Sequence, residues 1–145
     1  MARDGGEQDA GRGPRLVDVL SGALRAATAA MTHELQAVGI SLDQWRVLRR
    51  LDATRGRTIG QLSELLNLPP ASTTRAVDGL VDVGLAYRGA ADEDRRQVVV
   101  LVSAAGAEVA ERLEESAAQA EAALARDDAL GDLDAVVQAL AARTR

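Results

Sequence analysis

A short β-branched run constrains the fold of this chain more than any other feature of its sequence. Residues 98–100 are all valine, which makes a poor helix nucleus, and they predict a strand over residues 97–102. On both sides of this run, apolar residues recur at spacings of three and four, the period of an amphipathic helix. The chain is therefore predicted to be mainly helical, with one small β-element between two helical regions.

The first predicted helix is long. It starts near Pro14, a residue type that suits the first turn, and stops at Gly39, a favoured residue at a C-terminal end. The spacing predicts that one face of this helix is apolar. Its apolar stripe comprises Leu16, Leu20, Leu24, Ala27, Met31, Leu35 and Val38.

Two short helices are predicted next from their N-terminal signals. Ser41 and Gln44 have the spacing of a capping box and predict a second helix that ends near residues 54–56. Thr58 and Gln61 repeat that spacing and predict a third helix.

The chain then breaks and changes its period. Pro70, at the end of a break over residues 67–70, can occupy the first turn of a fourth helix at about 71–83. A short strand over 85–88, a polar turn over 89–96 and the valine-rich strand together predict a β-hairpin. After it, a second long helix can be capped by its preceding serine at position 103, and a last helix is predicted over 133–140.

This order of elements, a helix-turn-helix followed by a hairpin, is the winged-helix arrangement. The predicted fold is mainly α with a small β-hairpin wing, an α/β winged helix with six helices. The long helices at both ends are rich in small residues and suit intertwining with a second subunit. We therefore predict a disordered N-terminal arm (1–13), a helical dimerisation region (14–40 and 104–145) and a winged helix-turn-helix domain (41–103).

Composition excludes several classes of function. The 145 residues include no cysteine and a single histidine, which excludes disulfide frameworks, thiol redox switches and cysteine zinc sites and disfavours a histidine metal site. Lysine is absent, so no phosphate-binding loop of the Gly-Lys type exists, and the one histidine lies in a helical stripe without a nucleophile pattern. We predict no enzyme, no catalytic residue, no metal and no cofactor.

The apolar content also points to a partner subunit. Phenylalanine is absent, and Trp45 and Tyr87 are the only aromatic residues, so the rest of the core must consist of Leu, Val and Ala. Such side chains bury little area each, and we expect a second subunit to supply part of the core. Residues 1–13 hold no apolar run, and the longest uncharged hydrophobic stretch is far shorter than the roughly 18 residues of a membrane span. We expect a cytoplasmic protein without a membrane segment.

The charge distribution singles out the winged helix. Residues 41–103 carry nine arginines and eight acidic residues, a net charge of +1, whereas the whole chain has a net charge of −5. The predicted wing tip, residues 92–96, reads Asp-Glu-Asp-Arg-Arg. An arginine at the end of a β-ribbon can enter a DNA minor groove, where negative potential is focused, and an adjacent aspartate can hold its rotamer. The alternative is a solvated turn with an exposed ion pair, which contributes at most about 1 kcal/mol.

The motifs resemble those of one known family. Asp94-x-Arg96, followed by Val102-Ser103 and Gly106, resembles the wing signature of the MarR family, in which Asp-x-Arg precedes Leu-Thr-x-x-Gly. Segments at 41–48, 58–62 and 72–80 and the Gly84-Leu85-x-x-Arg88 motif resemble the family's second, third and recognition helices and its entry to the wing. The resemblance covers about residues 14–145 without a sizeable gap.

The resemblance implies a homodimeric transcription regulator of double-stranded DNA, with its recognition helices in successive major grooves of a pseudo-palindromic operator and its wings in the flanking minor grooves. Arg75 would contact either a guanine or a phosphate, and Arg88 and Arg95 would be either phosphate contacts or solvated charges. The DNA-binding residues carried over by position are Ser72, Thr73, Thr74, Arg75, Arg88, Asp94, Arg95 and Arg96.

A ligand is also implied. Family members commonly bind small aromatic or phenolic acids, and a repressor would be released by such a ligand. The expected lining of the cleft is His33, Trp45 and Arg46; alternatively, Trp45 is a buried anchor and His33 is an exposed or hydrogen-bonded helical residue.

Two positions depart from the family pattern. Pro69 stands where a capping Ser or Thr is usual, a loss of about 1 kcal/mol, and Ala71 stands where a hydroxyl residue is common. Both departures bear on the operator sequence rather than on DNA binding itself. The alternative function, consistent with the net charge of −5 and with Ala71, is a winged-helix protein-interaction module that has lost DNA binding.

Overall fold

The computed structural model describes residues 16–91 and 96–125, with positions 138, 139 and 142 besides. Within these residues the chain is mainly helical, with one antiparallel hairpin, which confirms the predicted fold class. The predicted arm, residues 92–95 of the wing tip and most of the last predicted helix lie outside the described residues. The elements are α1 (Leu16–Val38), α2 (Leu42–Leu48), α3 (Ile59–Leu66), α4 (Pro70–Asp82), β1 (Ala86–Ala90), β2 (Val98–Val102) and α5 (Ala104–Ala125).

Side-chain caps start α2 and α3 where the sequence predicts them. Ser41 Oγ accepts from the backbone N–H of Gln44 at 3.2 Å, and the Ser41 N–H donates to Gln44 Oε1 at 2.6 Å. Thr58 and Gln61 form the same reciprocal pair, at 3.2 and 2.9 Å. These bonds confirm both capping boxes. Gly39 ends α1 with a φ of +76°, a conformation that glycine adopts without steric cost.

The predicted end of α2 is wrong, because the helix stops at Leu48 rather than near residues 54–56. The Asp52 carboxylate accepts hydrogen bonds from the backbone N–H groups of Thr54 and Arg55, at 2.7 and 3.0 Å, and from the Thr54 hydroxyl at 2.7 Å. An aspartate that bonds the backbone two and three residues ahead favours a turn over a helix. These bonds lower the pKa of Asp52 from 3.8 to about 2, the backbone bond from Thr54 contributing most.

The wing is built on β2 as its middle strand. On one side β2 pairs with β1, which extends to Ala90, two residues beyond the predicted strand. On the other side Val100 exchanges backbone hydrogen bonds with Arg57, at 3.0 and 2.8 Å. Gly56 allows this approach, because a Cβ there would collide with the side chain of Val99. A single-residue bridge leaves no period in the sequence, and the hairpin prediction therefore missed it.

The core lies where all five helices and the hairpin meet. Leu, Val and Ala dominate the core as expected, but it also contains Met31 and Ile40, and Trp45 is its one aromatic residue because Tyr87 is exposed. None of the helices that the structure describes combines the length and apolar character needed to cross a membrane. The largest apolar side chains that are fully buried are Leu48, Leu62, Leu80, Leu113, Val47, Val77 and Val100.

Candidate nucleic-acid interface and cavity

The helix-turn-helix joins α3 to α4 through a turn closed by backbone groups. Asn67 adopts the left-handed conformation, with a φ of 50°. Pro69 offers no side-chain cap, and its carbonyl instead accepts the backbone N–H groups of Ser72 and Thr73, at 2.9 and 3.0 Å. Pro70 fills the first helical position, where its missing N–H costs nothing. The proline pair thus fixes the start of α4 without the usual hydroxyl.

One face of α4 carries a small polar cluster open to solvent. Arg75 is exposed, and its Nη2 lies 3.3 Å from Ser72 Oγ, to which it donates. Thr74 is half-buried, and its hydroxyl donates to the Pro70 carbonyl at 2.9 Å. The opposite face of the helix is buried through Ala76, Val77 and Leu80. The structure therefore brings Ser72, Thr74 and Arg75 together on the accessible side of the helix.

The prediction that Thr73 binds DNA is wrong for this structure. Its side chain is fully buried, and its hydroxyl accepts from Ser63 Oγ at 3.0 Å and donates to the Pro69 carbonyl at 3.2 Å. Helical geometry explains the difference, because each residue turns about 100° from the last and Thr73 falls on the face that packs against α3. Thr73 holds the two helices of the motif together.

In the wing, Arg88 lies on β1, and its Nη2 donates to the Asp78 carboxylate of α4 at 2.5 Å. Arg96 is exposed beside the wing tip. Asp94 and Arg95 lie outside the described residues, so the pairing of Asp94 with Arg96 stays a prediction. Across the described residues, no three His, Asp or Glu side chains converge as a metal site would require.

A cavity of about 230 Å³ lies between α1, α2 and α5. Trp45 and Arg46 line it as predicted, but His33 is exposed on α1 and does not. The α1 residues that line it follow the helical period, and His33, two positions after the last of them, faces another way. Its lining residues are Leu24, Thr28, Met31, Leu42, Trp45, Arg46, Arg49, Ala117, Ala120 and Glu121.

The polar groups around the cavity differ in how well they are satisfied. Arg46 donates to the Asp43 carboxylate at 3.1 Å and to the Leu66 carbonyl at 2.8 Å. The Trp45 ring is buried, and its Nε1 is enclosed without a hydrogen-bond partner among the residues that the structure describes. An unpaired buried donor costs about 1–3 kcal/mol and is a group for which a ligand acceptor would compensate.

Arg49 is the cavity residue that the sequence interpretation missed. Its guanidinium lies 5.0 Å from the centre of the Trp45 ring, and its Nη2 lies 2.5 Å from Glu114 Oε1. It therefore connects the C-terminal end of α2 to α5 beside the cavity. Arg49 follows Trp45 by four positions, and this spacing on a helix was the signal that could have placed it beside the ring.

Comparison with known proteins agrees with this geometry. The MarR family model matches residues 38–97, which span α2, α3, α4 and β1. A MarR-family transcriptional regulator from Silicibacter pomeroyi DSS-3 is 28% identical, with a TM-score of 0.71 over 90% of this chain and 95% of that one. The winged-helix segment at 38–97 thus matches the MarR family. No curated protein sequence matches it significantly.

Two further MarR-like structures were solved with bound molecules. The transcriptional repressor CouR, bound to a 23-mer DNA duplex, is 27% identical, with a TM-score of 0.74 over 90% of this chain and 93% of that one. CouR from Rhodococcus jostii RHA1, bound to p-coumaroyl-CoA, is 21% identical, with a TM-score of 0.71 over 88% and 87% of the two chains. The second likeness shows the fold alone.

Proposed function

We propose that this MarR-family protein is a cytoplasmic, homodimeric DNA-binding transcription regulator without catalytic activity. Its α4 enters the major groove of a pseudo-palindromic operator, and its wing reaches the minor groove. The observation that carries the proposal is the accessible cluster of Ser72, Thr74 and Arg75 on α4, in a chain whose net charge is otherwise unfavourable for DNA. The DNA complex of CouR, at 27% identity, supports it.

The first half of α1 supports the homodimer. Leu20 and Leu24 are 39% and 61% exposed, although they belong to the apolar stripe that is buried at Met31 and Leu35, and the neighbouring Val17 is 71% exposed. Exposed apolar side chains in a continuous stripe favour burial against another protein surface. A second copy that pairs through its own terminal helices would cover them and would set two recognition helices about one DNA turn apart.

The DNA function is tested by fluorescence anisotropy with duplex DNA from upstream of the protein's own gene. Arg75→Ala should weaken binding about ten-fold or more, because an arginine contact to a guanine contributes about 1–3 kcal/mol of discrimination. Arg112→Ala is the matched control, since Arg112 is exposed on α5 away from the motif, and it should leave affinity unchanged. Wild-type affinity for Arg75→Ala would contradict the proposed role of α4.

The ligand part of the proposal is a repressor released by a small aromatic or phenolic acid. The cavity of about 230 Å³ is smaller than the roughly 300–1,000 Å³ of pockets for drug-sized ligands, and it suits a single ring. The Trp45 N–H offers the ligand an unpaired donor, and Arg49 offers it a cation. A ligand carboxylate competes with Glu114 for Arg49 and thereby loosens the connection between α2 and α5.

Trp45 is the chain's single tryptophan, so its fluorescence reports on the cavity directly. Titration with 4-hydroxybenzoate and a panel of related phenolic acids should change that fluorescence and release the DNA. Arg49→Gln should weaken both responses and leave the fluorescence of the unliganded protein measurable. A panel that alters neither signal would remove ligand release from the proposal and leave DNA binding intact.

The alternative function is a protein-interaction module that has lost DNA binding. It is favoured by the net charge of −5 and by Ala71, which removes a hydroxyl from the start of α4. The same anisotropy titration separates the two functions. Absence of salt-sensitive binding to any duplex by the wild type would favour the interaction module.

A further inference from the structure

We propose that Asp78 and Arg88 form a latch that fixes the wing against the recognition helix, and that Arg88 is a positioning residue rather than a phosphate contact. The inference rests on the proposed DNA-binding function and assigns a role within that surface. The sequence interpretation treated Arg88 as a phosphate partner or a solvated charge. The structure instead gives it a defined acidic partner on α4, at 2.5 Å.

The pleat of the sheet directs Arg88 toward α4. Arg88 lies opposite Val100 in the β1–β2 register, and residues directly opposite each other share a sheet face. Val100 is 1% exposed, which identifies this face as the one that packs on the core. Ala86, two residues earlier on the same face of β1, is also buried. Arg88 is thus the first accessible residue on the core-facing side of β1, and its guanidinium reaches Asp78 on α4.

Asp78 carries a negative charge that has to be neutralised if α4 is to bind DNA. It is exposed and lies three and four positions after Arg75 and Thr74, which places it on the same side of α4. A bare carboxylate there would repel the phosphates that Arg75 approaches. Arg75 bonds Ser72, whereas Asp78 accepts from Arg88. The Arg88 guanidinium therefore compensates a charge that would otherwise oppose binding.

The wing needs such a connection because its own support is slight. A two-stranded hairpin is marginally stable by itself, and the extra bridge from Arg57 supports β2 at Val100 and not β1. The Arg88 and Asp78 side chains are 39% and 51% exposed. Because exposed ion pairs contribute little to folding stability, the latch acts on the orientation of the wing, and DNA affinity is the property that reports on it.

The test is a charge swap in the anisotropy assay. Arg88→Ala and Asp78→Ala should each weaken operator binding about five-fold, the effect of a well-placed exposed pair. The double variant Asp78→Arg with Arg88→Asp should bind within about two-fold of the wild type, because it restores the pair. Asp78→Arg alone should bind more weakly than the double variant, since its two arginines repel each other.

Three outcomes would overturn the latch. In the first, Asp78→Ala binds the operator more tightly than the wild type. In the second, the double variant binds no more tightly than Arg88→Asp alone. In the third, Asp78→Arg alone binds as tightly as the double variant. Each is the result expected if Arg88 contacts a phosphate. The salt dependence gives an independent readout: loss of a phosphate contact lowers the slope of log affinity against log salt by about 1, whereas loss of the latch leaves that slope unchanged.

The controls separate this inference from the proposed function. Thermal unfolding of every variant by circular dichroism should match the wild type within a few degrees, which excludes misfolding as the cause of weak binding. If the wild type binds no DNA, the proposed function fails, and the latch fails with it. If the wild type binds and Arg75→Ala does not, but the swap fails to restore affinity, the latch alone is wrong.

Discussion

Neighbouring residues of α4 have opposite environments, and this difference makes the chemistry of the recognition helix specific. Thr73 is fully buried and bonded to Ser63, whereas Thr74 is half-buried on the accessible side. Their side chains are chemically identical, and only helical spacing distinguishes them in the sequence. Thr73 precedes the apolar residues Ala76, Val77 and Leu80 by three, four and seven positions, a spacing that could have assigned it to the buried face.

Substitution of each threonine by valine should separate stability from binding. Thr73→Val should lower the free energy of unfolding by about 1–2 kcal/mol, because the Ser63 hydroxyl loses its buried partner. Thr74→Val should change stability little and should weaken operator binding. Urea denaturation and anisotropy check the two variants side by side. Equal loss of stability in both variants would contradict the assigned environments.

The turn after α2 depends on an ionised Asp52. Its pKa is lowered from 3.8 to about 2, so the carboxylate stabilises the fold above pH 3.8 and loses this effect as the pH falls toward 2. The difference in thermal stability between the wild type and Asp52→Ala should therefore be constant near neutral pH and should shrink between about pH 4 and pH 2. A difference that stays the same down to pH 2 would show that the charge of Asp52 is not involved.

At the scale of elements, local sequence signals predict where a helix begins better than where it ends. Ser41 and Thr58 start α2 and α3 because a capping box needs only four consecutive residues. The end of α2 depends on Asp52, whose turn competes with the helix, and the third strand-like segment at Arg57 depends on contact with a distant strand. Such long-range contacts leave no periodic signal, and for this reason the hairpin was predicted without its outer bridge.

The junction between the wing and α5 explains a glycine that the sequence pattern singled out. Gly106 lies in the first turn of α5, where a Cβ would collide with the backbone carbonyl of Leu85. Ser103 holds the same junction, since its hydroxyl donates to the Gly84 carbonyl at 2.8 Å and accepts from the Gly106 N–H at 3.0 Å. The Ser-x-x-Gly spacing thus supplies both the residue that caps α5 and the glycine that lets the backbone of α5 approach the carbonyl of Leu85.

Gly106→Ala should therefore destabilise the protein despite the better helix propensity of alanine. Overpacking costs about 1–3 kcal/mol and the propensity gain is about 1 kcal/mol, so a net loss of up to about 2 kcal/mol is expected. Gly60→Ala is the matched control, because its Cβ would meet only Thr58 Oγ1 at 3.8 Å, an ordinary contact. Chemical denaturation checks both variants, and a Gly106→Ala protein as stable as its control would contradict the close approach.

At the scale of the whole molecule, the cavity shows where sequence interpretation stops. The sequence allows Trp45 to be a core anchor or a ligand contact, and in the structure it is both buried and part of the cavity wall. His33 was placed in the cleft by its position in the chain, but helical phase turns it away. Arg49 is identified as a cavity residue by its contact with Glu114, which lies on a helix more than sixty residues further along the chain. Contacts between residues so far apart in the sequence arise from packing and leave no local pattern.

The charge distribution makes a prediction for the intact protein. Because the arginines proposed to contact DNA are few in a chain of net charge −5, affinity should fall as salt rises, and the slope of log affinity against log salt should be proportional to that small number of phosphate contacts. A linear decrease of log affinity with log salt is the expected result of anisotropy titrations at several salt concentrations. A flat response would contradict an interface dominated by phosphates.

Hydroxyl-radical footprinting of the operator tests whether two recognition helices and two wings bind one duplex. For the wild type we predict two protected half-sites whose centres lie about 10–10.5 base pairs apart, with further minor-groove protection outside them. Arg96→Ala should remove the outer protection and keep the central half-sites, whereas Arg75→Ala should weaken the whole pattern. A single unpaired site, or a footprint that neither variant alters, would contradict the account.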